Sequence, residues 1–469
     1  LDDTDHSIFT RHSVLAGDFA AADGLIDGGL ALRLNQAGLD YLGEVLGGFL
    51  NPTELEAVLF AANPIYNYFE PHNWPVDNTD VDVIATVVSF DPLEITATPR
   101  AGSLHLELVL PNLLLQAETY GTIAYLNDAD GDLVTISADS VQISADVIIS
   151  VDGDGEVVTT LSNVDVSLPG FDAEWDYIWG VVDWIATLFL DLQEVVEGGI
   201  AGMMTNTAPG ALSAAFNAMS TTVETTLLDQ TVTLETQLSG VTSDSQGVLF
   251  IMDLGVDLPG TGQQAAPGYL VAAHTTPTPS TSAPLAASLS DDLANRVLFE
   301  AWDAGMLSMT LSTADGSLDG FLLSPLGGSE GSIAIDARLP PVLVESDGGL
   351  VAQIGEMEIV VNTPGGDNGN FLKVAMAADA PLEISVEDGE LVVGVGEPFL
   401  SFVVRESDWP ASNETITNLL EQQLPIDVLL LLLGDIRFPL PVIQGFAISS
   451  ATTSRDAAGA HTNIDITLE

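Results

Sequence analysis

The chain has 469 residues, long for one hydrophobic core, and 46% of them are hydrophobic, which excludes an intrinsically disordered chain. Against 9 Lys and Arg stand 68 Asp and Glu, a formal charge of −59, which excludes nucleic-acid binding through a basic surface. There is no cysteine, so neither disulfides nor thiol chemistry contribute. The acids run along the whole sequence and Lys373 is the sole lysine. This spread predicts adaptation to high salt, where screening weakens self-repulsion, rather than one cation-binding cluster.

The chain opens Leu1-Asp-Asp-Thr-Asp5 without Met, which predicts removal of a signal peptide and a secreted or periplasmic protein, from a salt-loving bacterium. Alternation at Leu30, Leu32 and Leu34 predicts a strand. It runs through Asn35 into a helix with Leu39, Leu42, Leu46 and Phe49 inward. After a Pro- and aromatic-rich loop at 63–75, period-two segments predict a meander: 81–88, 93–98, 104–110, 119–126, 133–137, 141–151 and 157–166. Acidic Gly-containing turns at 128–132 and 152–155 separate some of them.

The period then changes. Trp175, Ile178, Trp179, Val182, Ile185, Phe189, Leu192 and Val196 predict a helix over about 173–197. A broken second helix is expected past Gly198-Gly199, through Leu212, Phe216 and Met219. Strands at 230–239 and 248–256 close this half. Residues 259–284 are rich in Pro, Thr, Ser, Gly and Ala and read as a linker.

A strand at 287–289 follows, then a helix capped by Ser290, with Asp291 and Asp292 at its positive end and Gly305 as its stop. Leu293, Val297, Phe299, Ala301 and Trp302 make its apolar face. Strands are expected at 306–312, 331–338, 342–345, 350–361, 371–377, 382–386, 391–395 and 399–404. A helix over about 413–433 carries Ile416, Leu419, Leu420 and Leu424 and is interrupted by Pro425. Its apolar run at 428–433 is too short to span a membrane. A segment from Phe438-Pro-Leu-Pro441 to Ser450 and a strand at 462–468 end the chain. Both halves read helix, strands, long helix, strands. The domains are therefore placed at 1–258 and 285–469, joined by 259–284.

Few polar motifs suggest chemistry. Gly327-Gly-Ser-Glu-Gly331 has the spacing of a nucleophile elbow, but a turn precedes it and a strand follows, so Ser329 reads as a loop residue. His6, His12, His72, His105, His274 and His461 show no zinc-ligand spacing. Asp128, Asp130 and Asp132, like Asp152 and Asp154, fit hairpin tips better than a calcium loop, because Gly131 is misplaced. The reading is non-enzymatic, with no metal and no cofactor.

Three segments carry a resemblance. Residues 287–311, Gly38-Leu-Asp-Tyr41 and Phe438-Pro-Leu-Pro441 with the Gly-Phe strand after it resemble the bactericidal/permeability-increasing protein family, which includes lipopolysaccharide-binding and lipid transfer proteins. The resemblance spans nearly the whole chain in order. It implies an α+β, mostly antiparallel β fold: two tubular barrels, each wrapped around a long helix, joined by a central sheet into an elongated boomerang. It implies an apolar pocket in each half for acyl chains. The family's N-domain disulfide and its basic tip have no counterpart here, so the bactericidal activity does not carry over.

On this reading the partner is a phospholipid or other acyl lipid, with transient membrane contact and no nucleic acid. The sequence leaves the oligomeric state open. The first pocket is expected along Leu39, Leu42, Leu46, Trp179, Val182, Ile185 and Phe189, the second along Leu293, Val297, Leu298, Leu419 and Leu420. Ordinary core packing also explains these stripes, and the resemblance decides for lipid. Two alternatives come from other classes: an extracellular calcium-binding structural or adhesive protein, and a secreted esterase using Ser329.

Overall fold

The structure is a computed structural model. It describes residues 19–47, 60, 63–71, 78–121, 131, 133–153, 155–175, 182–217, 222–227, 230–258, 268–272, 275–320, 323–324, 328–346, 349–365, 371–387, 390–409, 411–423, 436–439, 448–456 and 459–468.

In the first half, β1 (Phe19–Ala20) and β2 (Ile26–Leu34) precede helix α1 (Gln36–Gly47). Then come β3 (Tyr66–Pro71), β4 (Asn78–Ser89), β5 (Glu94–Arg100), β6 (Ser103–Tyr120), β7 (Leu133–Val151), β8 (Val157–Ser167) and β9 (Asp172–Trp175). Helix α2 (Val182–Asn217) leads to β10 (Thr222–Leu227), β11 (Gln230–Asp244) and β12 (Gly247–Asp257). After the short β13 (Tyr269–Leu270), the second half begins with β14 (Leu285–Ser290) and α3 (Asp291–Asp303). Its sheet is built from β15 (Ser308–Ser312), β16 (Ser332–Ala337), β17 (Val342–Ser346), β18 (Gly349–Asn362), β19 (Phe371–Glu387), β20 (Glu390–Val395) and β21 (Phe399–Ser407). Helix α4 (Asn413–Gln423), β22 (Ile436–Pro439), β23 (Ile448–Asp456) and β24 (His461–Leu468) complete it.

The fold is mostly antiparallel β with few helices, and the ladders repeat. In the first half the order is β3-β4-β6-β7-β8, with β5 on β6 and β9 on β7. In the second it is β15-β16-β18-β19-β20, with β17 on β18 and β21 on β19, the same pattern with every strand number raised by 12. The copies part at β10, which pairs with β11, whereas its counterpart β22 pairs with β20. A third sheet, β10-β11-β12-β2-β14-β24-β23, draws on both halves. Its seam is the β2–β14 pair, where Leu34 faces Leu285, Leu32 faces Ala287 and Leu30 faces Leu289.

Several sequence expectations are corrected. Segment 104–110 and the first two residues of 119–126, Thr119 and Tyr120, belong to one strand, β6, while 122–126 lie outside the described residues; 133–137 and 141–151 are one strand, β7. Asn112 and Asp139 are skipped opposite one another in the ladder, and Asn112 has φ 55°. The inward positions change there from Leu104, Leu106, Leu108 and Leu110 to Leu113, Leu115 and Ala117. That paired irregularity breaks the alternation without breaking the strand. Likewise 371–377 and 382–386 are one strand, β19. Strands β3, β10 and β22 add to the expected set.

Trp175 belongs to β9, opposite Val134 on β7, rather than to a helix. Helix α2 begins at Val182 and passes Gly198-Gly199 unbroken. Tertiary contact overrides the glycines, since Val196, Ile200 and Met204 lie one turn apart and are all buried. The far end of α2 lies along β8. The Thr159 hydroxyl donates to the Pro209 carbonyl at 2.6 Å, Thr159 N–H donates to Ser213 Oγ at 3.0 Å, and Val157 N–H donates to Asn217 Oδ1 at 2.6 Å. These bonds satisfy an edge strand that would otherwise present open amides. Helix α4 ends at Gln423, and the remainder of its expected span, 424–433, lies outside the described residues.

The described part of the linker is packed. Pro277, Pro279 and Ala283 are buried, the Pro284 carbonyl accepts from Asn35 N–H at 3.2 Å, and the Thr275 carbonyl lies 2.9 Å from His461 Nε2.

Candidate functional site

Helix α3 organises the second half. Its N-cap is Ser290, whose Oγ accepts from Asp292 N–H at 3.1 Å. It ends in a Schellman turn, with Gly305 N–H on the Trp302 carbonyl, Met306 N–H on the Ala301 carbonyl, and Gly305 at φ 74°. Four of its polar residues, Asp291, Asp292, Asn295 and Arg296, are buried too, which the amphipathic pattern does not reveal. Asn295 makes a two-way amide bond with Leu343, accepting from its N–H at 2.6 Å and donating to its carbonyl at 3.3 Å. Arg296 donates to the carbonyls of Ala22, Gly24 and Val256 in the first half. Asp292 accepts from Ala272 N–H at 2.6 Å. Trp302 Nε1–H donates to the Ala337 carbonyl at 2.6 Å. Held on every side, α3 presents Leu293, Ala294, Val297 and Leu298 to the sheet.

Between this face and the sheet lies a cavity of about 50 Å³. Its far wall is the inward row of four strands: Leu343 of β17, Leu350 and Ala352 of β18, Leu382 and Ile384 of β19, and Leu391, Val393 and Val395 of β20. Leu289 adds to the apolar lining, and the polar lining is confined to Ser290, Asp291 and Thr462.

Those three residues border an ion-pair network. Arg455 of β23 grips Asp291 with two bonds, Nη1–Oδ1 at 2.6 Å and Nη2–Oδ2 at 2.7 Å. Nη1 also donates to Thr462 Oγ1 at 2.7 Å, and Nη2 to Glu345 Oε2 at 3.1 Å. The Asp291 side chain is 4% exposed and that of Arg455 16%. Burial pushes the Asp291 carboxyl above the ordinary carboxylate value, against the pull of the Arg455 guanidinium. Glu345 Oε1 is buried without a hydrogen-bond partner.

The sequence-derived site residues divide into three groups. Leu293, Val297 and Leu298 line the cavity. Leu420 is buried and Leu419 half-buried on α4, but neither borders the cavity. In the first half Leu39 is buried on α1, which packs on β5. Leu42 and Leu46 belong to α1, and Val182, Ile185 and Phe189 to α2, but their side chains lie outside the described residues, as does Trp179 entirely. Sequence reasoning missed the strand residues of the far wall. Their period-two alternation is legible, but it does not say which inward rows meet a helix and which meet each other.

The other polar motifs take plain roles. Ser329 stands in the loop entering β16, so the strand–turn–helix of an elbow does not form there. The Asp152 carboxylate caps its own hairpin by accepting from Glu156 N–H at 3.0 Å. Asp128, Asp130, Asp132 and Asp154 lie outside the described residues, as do His6, His12, His72 and His274. Among the described residues no group of three or more His, Cys, Asp or Glu is placed to hold a metal ion, and no helix is long and apolar enough to cross a membrane.

The chain's fold is similar to that of a lipopolysaccharide binding protein known from its crystal structure. The TM-score is 0.50 at 13% identity, covering 95% of this chain and 99% of that one. Crystal structures of P47 from Clostridium botulinum E1 and A2 align at TM-scores of 0.30 and 0.29, both at 8% identity. No protein-family model and no curated protein matches the sequence.

Proposed function

We propose that this chain is an exported lipid-binding or lipid-transfer protein that holds the acyl chains of a phospholipid-like ligand in the apolar interiors of its two halves. In this reading each half is a tube of twisted sheet closed by its helices, and no catalytic step is involved. The observation that carries it is the cavity under α3, lined almost wholly by aliphatic side chains. The structural neighbour's name, lipopolysaccharide binding protein, makes a lipid the natural occupant.

The energetics fit an acyl chain. Each methylene transferred from water contributes about 0.8 kcal/mol without any charge pairing. At about 50 Å³ the cavity is smaller than the roughly 150 Å³ apolar cavity that takes a benzene. A chain therefore enters by parting the branched side chains of α3 from those of the far wall.

Native mass spectrometry of gently purified protein should show co-purified lipid, and the stripped protein should take up a fluorescent phospholipid. The half-buried Ala294 lines the cavity, so Ala294→Val takes up its free space with little overpacking and is expected to cut uptake by the second half several-fold. Absence of both bound lipid and uptake would overturn the proposal.

A further inference from the structure

The linker closes over the seam between the halves. Its Thr275 carbonyl meets His461, which pairs with Ser290 at the end of β14, and its Pro284 carbonyl meets Asn35, beside the start of β14. Residues 275–284 therefore run back along the whole of β14. With β2 on one side of that strand and β24 on the other, the linker crosses a face of the sheet. One face is taken, since Leu289 and Thr462 line the cavity. The linker lies on the other, where the methyls of Ile251 and Thr276 come within 3.5 Å and 3.6 Å of the position that a Cβ on Gly28 would occupy. Ile251, Ala31, Ser288 and Asn463 form one cross-strand row, so their side chains share that face. Ala31, Ala286 and Ser288 are 0% exposed there.

Three oxygens in this layer are buried without a hydrogen-bond partner: Ser288 Oγ, Asn463 Oδ1 and Asp465 Oδ1. Ser288 stands directly across the ladder from Asn463, and Asp465 is two residues along on the same face of β24. Such positions are about 5 Å and about 7 Å apart, close enough for the three side chains to converge. The Ser288 hydroxyl can donate, yet it bonds to neither neighbour. Buried acceptors left in that state are costly. Arg33 Nε and His461 Nδ1, on the same face, are also unpartnered, and neither answers these oxygens. Arg33 pairs with Ala286 from the side of β14 opposite Asp465, and its guanidinium is turned to Asp244 at 3.1 Å and 3.2 Å. His461 donates through Nε2 to the Thr275 carbonyl, so in the neutral ring Nδ1 is one more acceptor, facing Asp456 at 3.7 Å.

We propose that the Ser288 hydroxyl, the Asn463 side-chain carbonyl and the Asp465 carboxylate hold an alkali-metal cation beneath the linker, fastening residues 275–284 to the seam. One water donates to only two of the three oxygens, whereas a cation serves all of them and offsets the Asp465 charge. Calcium and magnesium sites gather several carboxylates or phosphates; here one carboxylate joins two neutral oxygens, which suits a single positive charge. The net charge of −59 concentrates such ions around the chain. The site is separate from the acyl-chain cavity and does not depend on lipid binding.

Differential scanning fluorimetry in about 1 M NaCl, KCl or tetramethylammonium chloride tests it, because the three salts screen alike and only the first two supply an ion small enough to enter. Wild type should melt several degrees higher in NaCl or KCl than in tetramethylammonium chloride. Ser288→Ala should lower the melting temperature in the favoured alkali salt. In tetramethylammonium chloride the same change should be neutral or stabilising, since it removes a buried unpaired hydroxyl. Asp465→Asn, which keeps the shape and removes the charge, should cut the alkali preference by at least half. The absence of any alkali preference in wild type would overturn the proposal. So would a Ser288→Ala loss of equal size in all three salts, which would assign the oxygens to bound water, or a gain in all three. An undiminished preference in folded Asp465→Asn would overturn it as well. If Asp465→Asn does not fold, Ser288→Ala decides.

Discussion

Arg455 shows how one side chain can hold two parts of this protein together. It ties β23 to the first residue of α3 and to β17, with Asp291 almost wholly buried under it. Removing one member of a buried pair leaves the other charged and unsolvated. Arg455→Met is therefore expected to destabilise the protein by about 3 to 5 kcal/mol, seen as a lowered urea midpoint at unchanged slope. A second residue sets an acid limit. Hydrogen bonds from Asn163 and His105, and then the charges of His105 and Arg100, hold the Asp146 carboxyl below its ordinary value. A carboxylate depressed on folding stabilises the protein above its unfolded pKa, about 3.9, and that contribution disappears as pH falls through the folded value. Asp146→Asn should thus melt below wild type at neutral pH, with the difference closing below about pH 4. A difference constant across pH in differential scanning fluorimetry would contradict this origin.

At the scale of elements, α1 and α3 occupy equivalent places after β2 and β14, but their anchorage differs. Helix α1 starts at the seam, where Asn35 Oδ1 accepts from Gly38 N–H at 3.2 Å and a Cβ on Gly38 would overlap the Pro284 carbonyl oxygen. Gly38→Ala should cost roughly 1 to 3 kcal/mol through this crowding, against the few tenths to 1 kcal/mol gain that glycine-to-alanine brings in an open helix. A denaturant titration separates these opposite signs. The same elements show what the sequence makes legible. The cap at Ser290, the stop at Gly305, the apolar face of α3 and the repeated plan are all local or periodic features, and each is legible from residue types and their spacing. The burial of Asp291, Asp292, Asn295 and Arg296 is not, because each finds its partner far along the chain: Arg455, Ala272, Leu343 and the carbonyls of the first half. The strand of Trp175 and the unbroken α2 are hidden for the same reason, since apolar helical spacing over a short window is outweighed by ladder and packing contacts. The cavity's helical wall is legible as a stripe; its sheet wall depends on which of many alternating strands the topology places beneath α3.

For the molecule as a whole, charge is the dominant quantity. Of the 9 Lys and Arg, Arg11 lies outside the described residues, and each of the other eight has a carboxylate oxygen within 4.0 Å. The remaining acids repel one another, and salt relieves that strain. The melting temperature should rise steeply between about 0.1 M and about 1 M NaCl and flatten above it, as the Debye length contracts from about 10 Å to about 3 Å. A melting temperature independent of salt would argue against halophilic adaptation.

The seam where β2 lies against β14 carries a lesson about origin and assembly. These are matching strands of the two copies, they run in opposite directions, and on either side the order mirrors: β12 and β11 beyond one, β24 and β23 beyond the other. Such an arrangement has a pseudo-dyad through the ladder, so a lone half would expose as a naked edge the very strand best shaped to receive its own twin. A fragment spanning 1–258 should accordingly migrate in size-exclusion chromatography as a symmetric homodimer, rebuilding from two identical polypeptides the continuity that the 469-residue chain achieves by tandem repetition.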